Sequence, residues 1–213
     1  MSGDREMHDP TKKFEGTLSP KTEKIAKIIS FIGQPPFLSI VPFVSIFIAL
    51  CDDLTNAILC SVAAVFAAVI LPIANIMYFS RRYQNADKLD VEKKEDRMLP
   101  LIAGVIGYIV GVALLLLLEA PWLATVLMIC YAVVTFAILL ITPYWKISVH
   151  SCGVIGPSVG LTVAFWPVGL VYFLLLPPII WSRYVLKKHT PLQLVMGALV
   201  GFVITAIIFW IAL

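Results

Sequence analysis

The chain has 213 residues, of which 60% are hydrophobic and 14% are charged, with a net charge of +3 and a mean hydropathy of +0.95. A soluble domain carries about 25% charged residues. This composition excludes a disordered chain, a collagen-like repeat and a disulfide-rich secreted scaffold, and it predicts an integral membrane protein. The four cysteines lie in or beside apolar segments without paired spacing, so we expect small buried side chains rather than disulfides or a metal site.

Seven apolar stretches meet or approach the roughly 20 residues that a helix needs to cross a bilayer. They run over Ile28–Leu50, Leu54–Phe79, Met98–Leu118, Pro121–Thr142, Ser151–Phe165, Val168–Val185 and Pro191–Leu213. The fifth is short and contains Pro157, so it forms either its own span or one bent element with the sixth. The predicted fold is an all-α integral membrane bundle of six to seven transmembrane helices, with the active site at one membrane face.

Residues 1–27 are predicted to form a polar, basic tail in front of a transmembrane domain of residues 28–213. The tail has no apolar core of the kind found in secretory signals, so no cleavable signal peptide is expected. We expect a solvated, disordered segment over Met1–Thr17 and an amphipathic helix near Ser19–Ile29 on the membrane surface.

The charges predict the orientation of the bundle. With seven crossings, every lysine and arginine falls in regions that share one side, namely the tail, Ser80–Arg97, Pro143–His150 and Ser182–Thr190. The opposite side carries Asp52, Asp53 and Glu119. By the positive-inside rule, the tail and the three loops lie in the cytoplasm.

Three pairs of glycines have the spacing that lets helix backbones approach closely. They are Gly107/Gly111, Gly156/Gly160 and Gly197/Gly201. We expect these pairs to pack within the bundle rather than to form a dimer, and the sequence does not predict the oligomeric state.

Two histidines, His150 and His189, lie where a cytoplasmic loop meets a predicted helix. Lys146 and Ser148 beside the first offer a charge and a hydroxyl. A helix begins there, and its unsatisfied N–H groups and dipole favour an anion. This combination predicts a phosphate-binding site on the cytoplasmic side.

The second histidine is followed by a clear helix start. Thr190 and Pro191 have the residue types of an N-cap and a first helical residue. Gln193, four residues after His189, is expected to hydrogen-bond the imidazole ring from one turn below. Arg183 is expected to approach His189 across the bend between the two helices.

These residues resemble the signatures of the type 2 phosphatidic acid phosphatase superfamily. The matching residues are Ser182-Arg183 and His189 for the third signature (S-R, five residues, H, three residues, D), Ser148 and His150 for the second (P-S-G-H), and Arg97 with Pro100 for the first (K, six residues, R-P). The resemblance covers about residues 90–201, which form the phosphatase-like core.

The chain departs from these signatures at several positions. Asp90 stands where the first signature has lysine, and Ile147 and Val149 replace the proline and glycine of the second. Gln193 replaces the aspartate of the third. A glutamine carbonyl accepts the ring N–H but does not offset an imidazolium charge, so slower chemistry is expected.

The resemblance implies a membrane-embedded phosphatase that hydrolyses a lipid phosphate or an isoprenyl diphosphate through a phosphohistidine. It implies His189 as nucleophile oriented by Gln193, His150 as general acid, and Arg97, Arg183 and Ser148 as phosphate-binding residues, with Lys146 as a substitute for the missing lysine. No metal or cofactor is required by this chemistry. The expected partner is the lipid substrate in the bilayer, with no nucleic acid.

Three other functions fit parts of the sequence. A non-catalytic lipid-phosphate binder accounts for the altered signatures. A magnesium-dependent prenyltransferase accounts for the acidic first loop, whose relevant residues are Asn85, Asp87, Asp90 and Asp96. A small transporter or channel is the remaining class, with Asn75 among the few polar residues at mid-membrane depth.

Overall fold

The computed structural model of the protein describes residues 10–84, 91, 93 and 95–213, and every regular element in those residues is helical. The α-helices are α1 (Pro20–Ile32), α2 (Pro35–Leu50), α3 (Leu54–Val65), α4 (Leu71–Arg82), α5 (Met98–Leu117), α6 (Trp122–Ile141), α7 (Val149–Ala164), α8 (Leu176–Val185) and α9 (Pro191–Ala212). A π-helical turn, Phe66–Ile70, joins α3 to α4, and 3₁₀ segments, Glu95–Arg97 and Val168–Leu175, precede α5 and α8. The predicted all-α fold is confirmed.

Among the described residues, five helical segments are long and apolar enough to cross a membrane. They are Leu54–Arg82, Glu95–Leu117, Trp122–Ile141, Val168–Val185 and Pro191–Ala212. The first predicted stretch is divided into α1 and α2, which are bent by 48° and would make a sixth span as one bent pair. By their length and composition, these segments indicate a multi-pass membrane protein.

The fifth predicted stretch forms α7, which is shorter than the others. Its 16 residues extend about 24 Å at about 1.5 Å per residue, less than the roughly 30 Å of a bilayer core. The following segment, Val168–Leu175, packs back against it. This short helix is surrounded by α2, α6 and α9, and eleven of its residues are buried.

Helix α1 crosses the boundary that the sequence places between the tail and the transmembrane domain. Ser19 is its N-cap, and the Ser19 hydroxyl accepts a hydrogen bond from Thr22 N. The helix packs against α8. The predicted helix near Ser19–Ile29 is therefore present, and it extends to Ile32.

Neighbouring helices α5 and α6 run antiparallel. A Cβ atom added at Gly104 would lie 3.6 Å from Thr135 Cγ2, and one added at Gly111 would lie 3.1 Å from Met128 Sδ. The beginning of α5 is therefore at the same end of the bundle as the end of α6. The loop that leads into α7 starts at that end.

Helices α7 and α9 run parallel and very close together. A Cβ atom at Gly197 would lie 2.6 Å from Ser148 O, and one at Gly201 would lie 3.1 Å from Cys152 Cα. The Cys152 thiol donates a hydrogen bond to Gly197 O at 2.7 Å. This pair of glycines packs within the bundle, as predicted, and places the N-termini of α7 and α9 side by side.

All four cysteines are free thiols, and three of them are buried. The prediction of small buried side chains is confirmed for Cys60, Cys130 and Cys152, whereas Cys51 is partly exposed.

The close approach of α7 and α9 makes Gly197 sensitive to substitution. We expect Gly197→Ala to lower the free energy of unfolding by about 1–3 kcal/mol, because the added methyl displaces the backbone of Ser148. Gly107→Ala is the matched control, since its Cβ would meet Leu71 Cδ1 at an ordinary 3.8 Å. Unfolding of both variants in the same detergent measures the difference, and equal stability would contradict the packing described here.

Candidate functional site

A cavity of about 110 Å³ lies at the end of the bundle where α2, α5, α7 and α9 begin. Its polar lining includes one residue from each of these helix starts. Gln34 is the N-cap of α2, Arg97 is the N-cap of α5, His150 is the second residue of α7, and His189 precedes the N-cap of α9. One ordered water requires only about 10–15 Å³, so the cavity has room for a group with several polar atoms.

The electrostatic character of this cavity follows from the helix directions. The N-terminus of each helix carries a partial positive charge, from aligned peptide dipoles and N–H groups that lack helical partners. Four such ends meet here, together with the guanidinium of Arg97, although the start of α2 contributes through its dipole alone because Pro35 and Pro36 carry no N–H. The cavity therefore favours an anion.

Arg97 connects two loops at the cavity. It is 6% exposed, and its Nε donates a hydrogen bond to Val91 O at 2.7 Å, while its Nη1 lies 3.5 Å from Ile147 O. The first carbonyl belongs to the loop before α5 and the second to the loop before α7. The buried cation is thus positioned by main-chain oxygens and lines the cavity.

His189 is held by the start of α9. Gln193 Oε1 lies 3.2 Å from His189 Nδ1 and accepts a second hydrogen bond from Thr190 N at 3.2 Å. In return, Gln193 N donates to Thr190 Oγ1 at 3.3 Å, which completes a capping box. The predicted cap, the predicted helix start at Pro191 and the predicted Gln193–His189 contact are all confirmed.

The capping box also determines the tautomer of His189. Thr190 N is a donor, so the Gln193 atom that it contacts is the amide oxygen rather than the nitrogen. The same oxygen then accepts a hydrogen bond from His189 Nδ1–H. A neutral His189 in this arrangement has its lone pair on Nε2.

Ser148 and His150 occupy the first turn of α7 in different roles. The buried Ser148 hydroxyl caps the helix by accepting a hydrogen bond from Ser151 N at 3.3 Å, and it lies 3.2 Å from Ser151 Oγ. Ser148 N donates to Gln193 O at 3.3 Å, which joins the start of α7 to the start of α9. His150 is 5% exposed and lines the cavity.

Arg183 is buried at a different contact. It is 1% exposed, and its Nη1 donates a hydrogen bond to Ser30 Oγ of α1 at 2.9 Å. Its carbonyl accepts from Lys188 N at 3.1 Å, in the turn before His189. Arg183 therefore ties α8 to α1 and shapes the turn that leads to the histidine.

The structure brings part of the predicted site together around the cavity. Of the described residues that line it, the predicted ones are Arg97, His150 and His189. Gln193 contacts His189 directly, and the predicted residues outside the lining are Ser148, Lys146, Arg183 and Gln193. One residue of each of the three signatures thus lines the cavity, namely Arg97 of the first, His150 of the second and His189 of the third.

Several residues that line the cavity are not among the site residues predicted for the phosphatase, although Asn75 was noted for the transporter alternative. They are polar or aromatic, namely Gln34, Asn75, Tyr108 and Thr135. Asn75 Nδ2 donates a hydrogen bond to Pro100 O at 2.7 Å, which joins α4 to α5. The amides in otherwise apolar helical segments are the sequence signal that could have identified Gln34 and Asn75.

A second, mostly apolar cavity lies beside the first, between the helices. This cavity of about 50 Å³ shares four lining residues with the first and extends along α7 to Gly156 and Pro157. Pro157 is seven residues after His150, about 10 Å along the helix. A polar cavity thus lies next to an apolar one, which we call the apolar extension, and this juxtaposition suits an amphiphilic molecule.

Part of the first loop lies outside the described residues. This includes Asn85, Asp87 and Asp90, on which the prenyltransferase alternative and the start of the first signature depend. Comparison with models of protein families, with curated proteins and with solved structures finds no match to this chain. The function is therefore inferred from the cavity and its residues.

The shared acceptor at Gln193 leads to a specific expectation. Gln193→Ala should lower the free energy of unfolding by about 1 kcal/mol, because Thr190 N and His189 Nδ1 both lose their acceptor. Gln193→Glu keeps an oxygen in place and should retain wild-type stability. Unfolding in detergent measures stability, and nitrogen NMR shifts of His189 report its tautomer. An Ala variant with wild-type stability and unchanged histidine shifts would contradict this assignment.

Proposed function

We propose that this protein is an integral membrane phosphatase that hydrolyses a lipid phosphate or an isoprenyl diphosphate. The observation that carries the proposal is the cavity where four helix N-termini meet Arg97, His150 and His189. Catalysis of phosphoryl transfer consists mostly of positioning and of neutralising charge on the equatorial oxygens. Helix N-termini and a guanidinium supply that neutralisation without a metal ion.

The proposed reaction has two steps. Nε2 of His189 attacks phosphorus, a P–N bond forms, the P–O bond to the lipid breaks, and His150 gives its proton to the leaving oxygen. Water then attacks the phosphohistidine, His150 accepts a proton from that water, and inorganic phosphate leaves as His189 is regenerated. The tautomer determined by Gln193 supports this assignment, because it leaves the lone pair on the nitrogen that attacks.

Gln193 sets the expected rate of this chemistry. Its amide oxygen orients the ring but carries no charge to balance the cationic histidine that forms. By comparison with enzymes in which a carboxylate holds the catalytic histidine, turnover should be slower. In Gln193→Asp or Gln193→Glu, a carboxylate would replace the neutral amide as the acceptor, so turnover should rise.

We assign the binding of the phosphoryl oxygens to Arg97. It lines the cavity, whereas Arg183 bonds to Ser30 and Ser148 caps α7. Direct phosphate contacts by Arg183, Ser148 and Lys146 remain implications of the family resemblance alone.

The lipid tail is proposed to occupy the apolar extension between α6 and α7. The lysines and arginines of the sequence support a cytoplasmic location for the polar end, by the positive-inside rule. Protease access to the N-terminal tail in sealed vesicles of known orientation tests that location.

A non-catalytic lipid-phosphate binder is the second candidate. It is favoured by the neutral Gln193 and by the structural bonds of Ser148 and Arg183, which occupy signature positions without lining the cavity. Such a protein would bind lipid phosphate at the same cavity without releasing phosphate.

Phosphate release by the purified protein tests the proposal. With excess chelator present, the wild type should release phosphate from phosphatidic acid or farnesyl diphosphate. His189→Ala should reduce the rate by about three orders of magnitude or more, because the nucleophile is lost. His150→Ala should reduce it about 100-fold or more through loss of the general acid.

The matched control is His8→Ala, which changes a tail histidine outside the described residues and should retain wild-type activity. Equal release by wild type and His189→Ala would overturn the proposed mechanism. Saturable lipid-phosphate binding without release, with or without magnesium, would identify the binder, and release of inorganic diphosphate from farnesyl diphosphate that depends strictly on magnesium would favour the prenyltransferase alternative.

A further inference from the structure

Gln34 reaches the cavity from outside the region that resembles the phosphatase signatures. It lies at the break between α1 and α2, is 6% exposed, and lines the same cavity as Arg97, His150 and His189. A buried amide beside a guanidinium and two imidazoles adds a neutral hydrogen-bonding group to a site that favours anions.

The capping of α2 does not depend on the Gln34 side chain. Helix α2 begins with Pro35 and Pro36, which have no N–H groups to be capped. The next two donors, Phe37 N and Leu38 N, lie 3.0 and 3.2 Å from the main-chain oxygen of Gln34. The main chain of Gln34 therefore satisfies the start of the helix, so the cap of α2 is independent of the amide side chain.

The position of Gln34 is determined by tight contacts on both sides. A Cβ atom at Gly33 would lie 2.7 Å from Ile179 Cγ1 of α8. Pro35 packs against Gly153 of α7 so closely that a side chain at position 153 would overlap the proline ring. Because both neighbours are tightly packed, the main chain of Gln34 has a fixed place at the cavity, and its side chain is buried there.

The family resemblance implies a lysine as one of the phosphate donors, and this chain lacks that lysine. Asp90 takes the place of the lysine in the first signature, and it lies outside the described residues. Lys146, the substitute predicted from sequence, is not among the described residues that line the cavity. Gln34 is among them.

We propose that Gln34 binds the phosphate group of the substrate by donating its amide N–H to a phosphoryl oxygen. This inference rests on the proposed function and adds a substrate-binding residue to it. A neutral donor stabilises the phosphate without adding positive charge beside His150 and His189. A further cation would oppose protonation of His150, on which the general-acid step depends, and a neutral amide does not.

Three substitutions at this position distinguish a phosphate donor from a packing residue. Gln34→Leu should raise KM for phosphatidic acid about tenfold with little change in kcat, the loss expected for one hydrogen bond to a charged group. Gln34→Glu should raise KM further, because a carboxylate repels phosphate. Gln34→Lys should restore KM to the wild-type value or below, because it supplies the missing cation.

The matched control is Gln84→Glu, which makes the same change at an exposed position at the end of α4 and should leave KM unchanged. Unfolding temperatures without ligand establish that each variant folds. The same measurement with inorganic phosphate reports binding without turnover, and the shift should be smaller in Gln34→Leu than in the wild type. If Gln34→Leu does not fold, the role of Gln34 is tested with Gln34→Lys, by its KM and by the shift of its unfolding temperature with inorganic phosphate.

The outcomes separate this inference from the proposed function. Wild-type KM and phosphate shift in Gln34→Leu, in an active enzyme, would overturn the role of Gln34 and leave the phosphatase intact. Weaker phosphate binding by Gln34→Lys than by the wild type would also overturn that role. A phosphate shift that depends on Gln34 in a protein without turnover would retain the binding role and reject the catalysis. A wild type with neither a phosphate shift nor turnover would overturn both.

Discussion

The close parallel packing of α7 and α9 is the contact on which the candidate site depends. Gly197 lies so near Ser148 O that a methyl group would not fit between them, and Ser148 N donates to Gln193 O. His150 is two residues after Ser148, and His189 is hydrogen-bonded to Gln193. One glycine contact therefore sets the relative position of the two histidines to which we assign the chemistry.

The direction of the helices has an electrostatic consequence. Four helices begin at the same end of the bundle, and a nearly buried Arg97 lies among their N-termini. Positive charge in apolar surroundings is costly unless it is compensated. Carbonyl oxygens of Val91 and Ile147 contribute to that compensation, and in our account a bound phosphate adds an oppositely charged partner.

The sequence predicts the features of this fold that depend on local chemistry. Most of the apolar stretches correspond to single helical segments, because the length of an apolar run and its flanking residues determine where a membrane helix begins and ends, whereas the first stretch is divided into α1 and α2. The start of α9 was predictable in detail, because the capping box of Thr190 and Gln193 lies within four residues of the chain. The contact between His189 and Gln193 follows from the same helical turn.

The remaining features depend on contacts between distant parts of the chain. Arg183 bonds to Ser30, which is 153 residues away, so its neighbour could not be read from the signature around it. Gln34 and Asn75 line the cavity only because α2 and α4 pack beside α7 and α5. The prediction of one stretch over Ile28–Leu50 missed the break before Pro35 and Pro36, and which cavity that break faces depends on the packing of the whole bundle.

The most direct test of this account is to trap the covalent intermediate. The purified protein is incubated with a lipid phosphate carrying a radiolabelled phosphoryl group and is quenched rapidly in alkali, in which phosphohistidine survives. The account predicts a label on wild-type protein that is lost in acid, maps to the peptide containing His189, and is absent from His189→Ala. Phosphate release by the wild type without any label on His189, or equal labelling of His189→Ala, would contradict it.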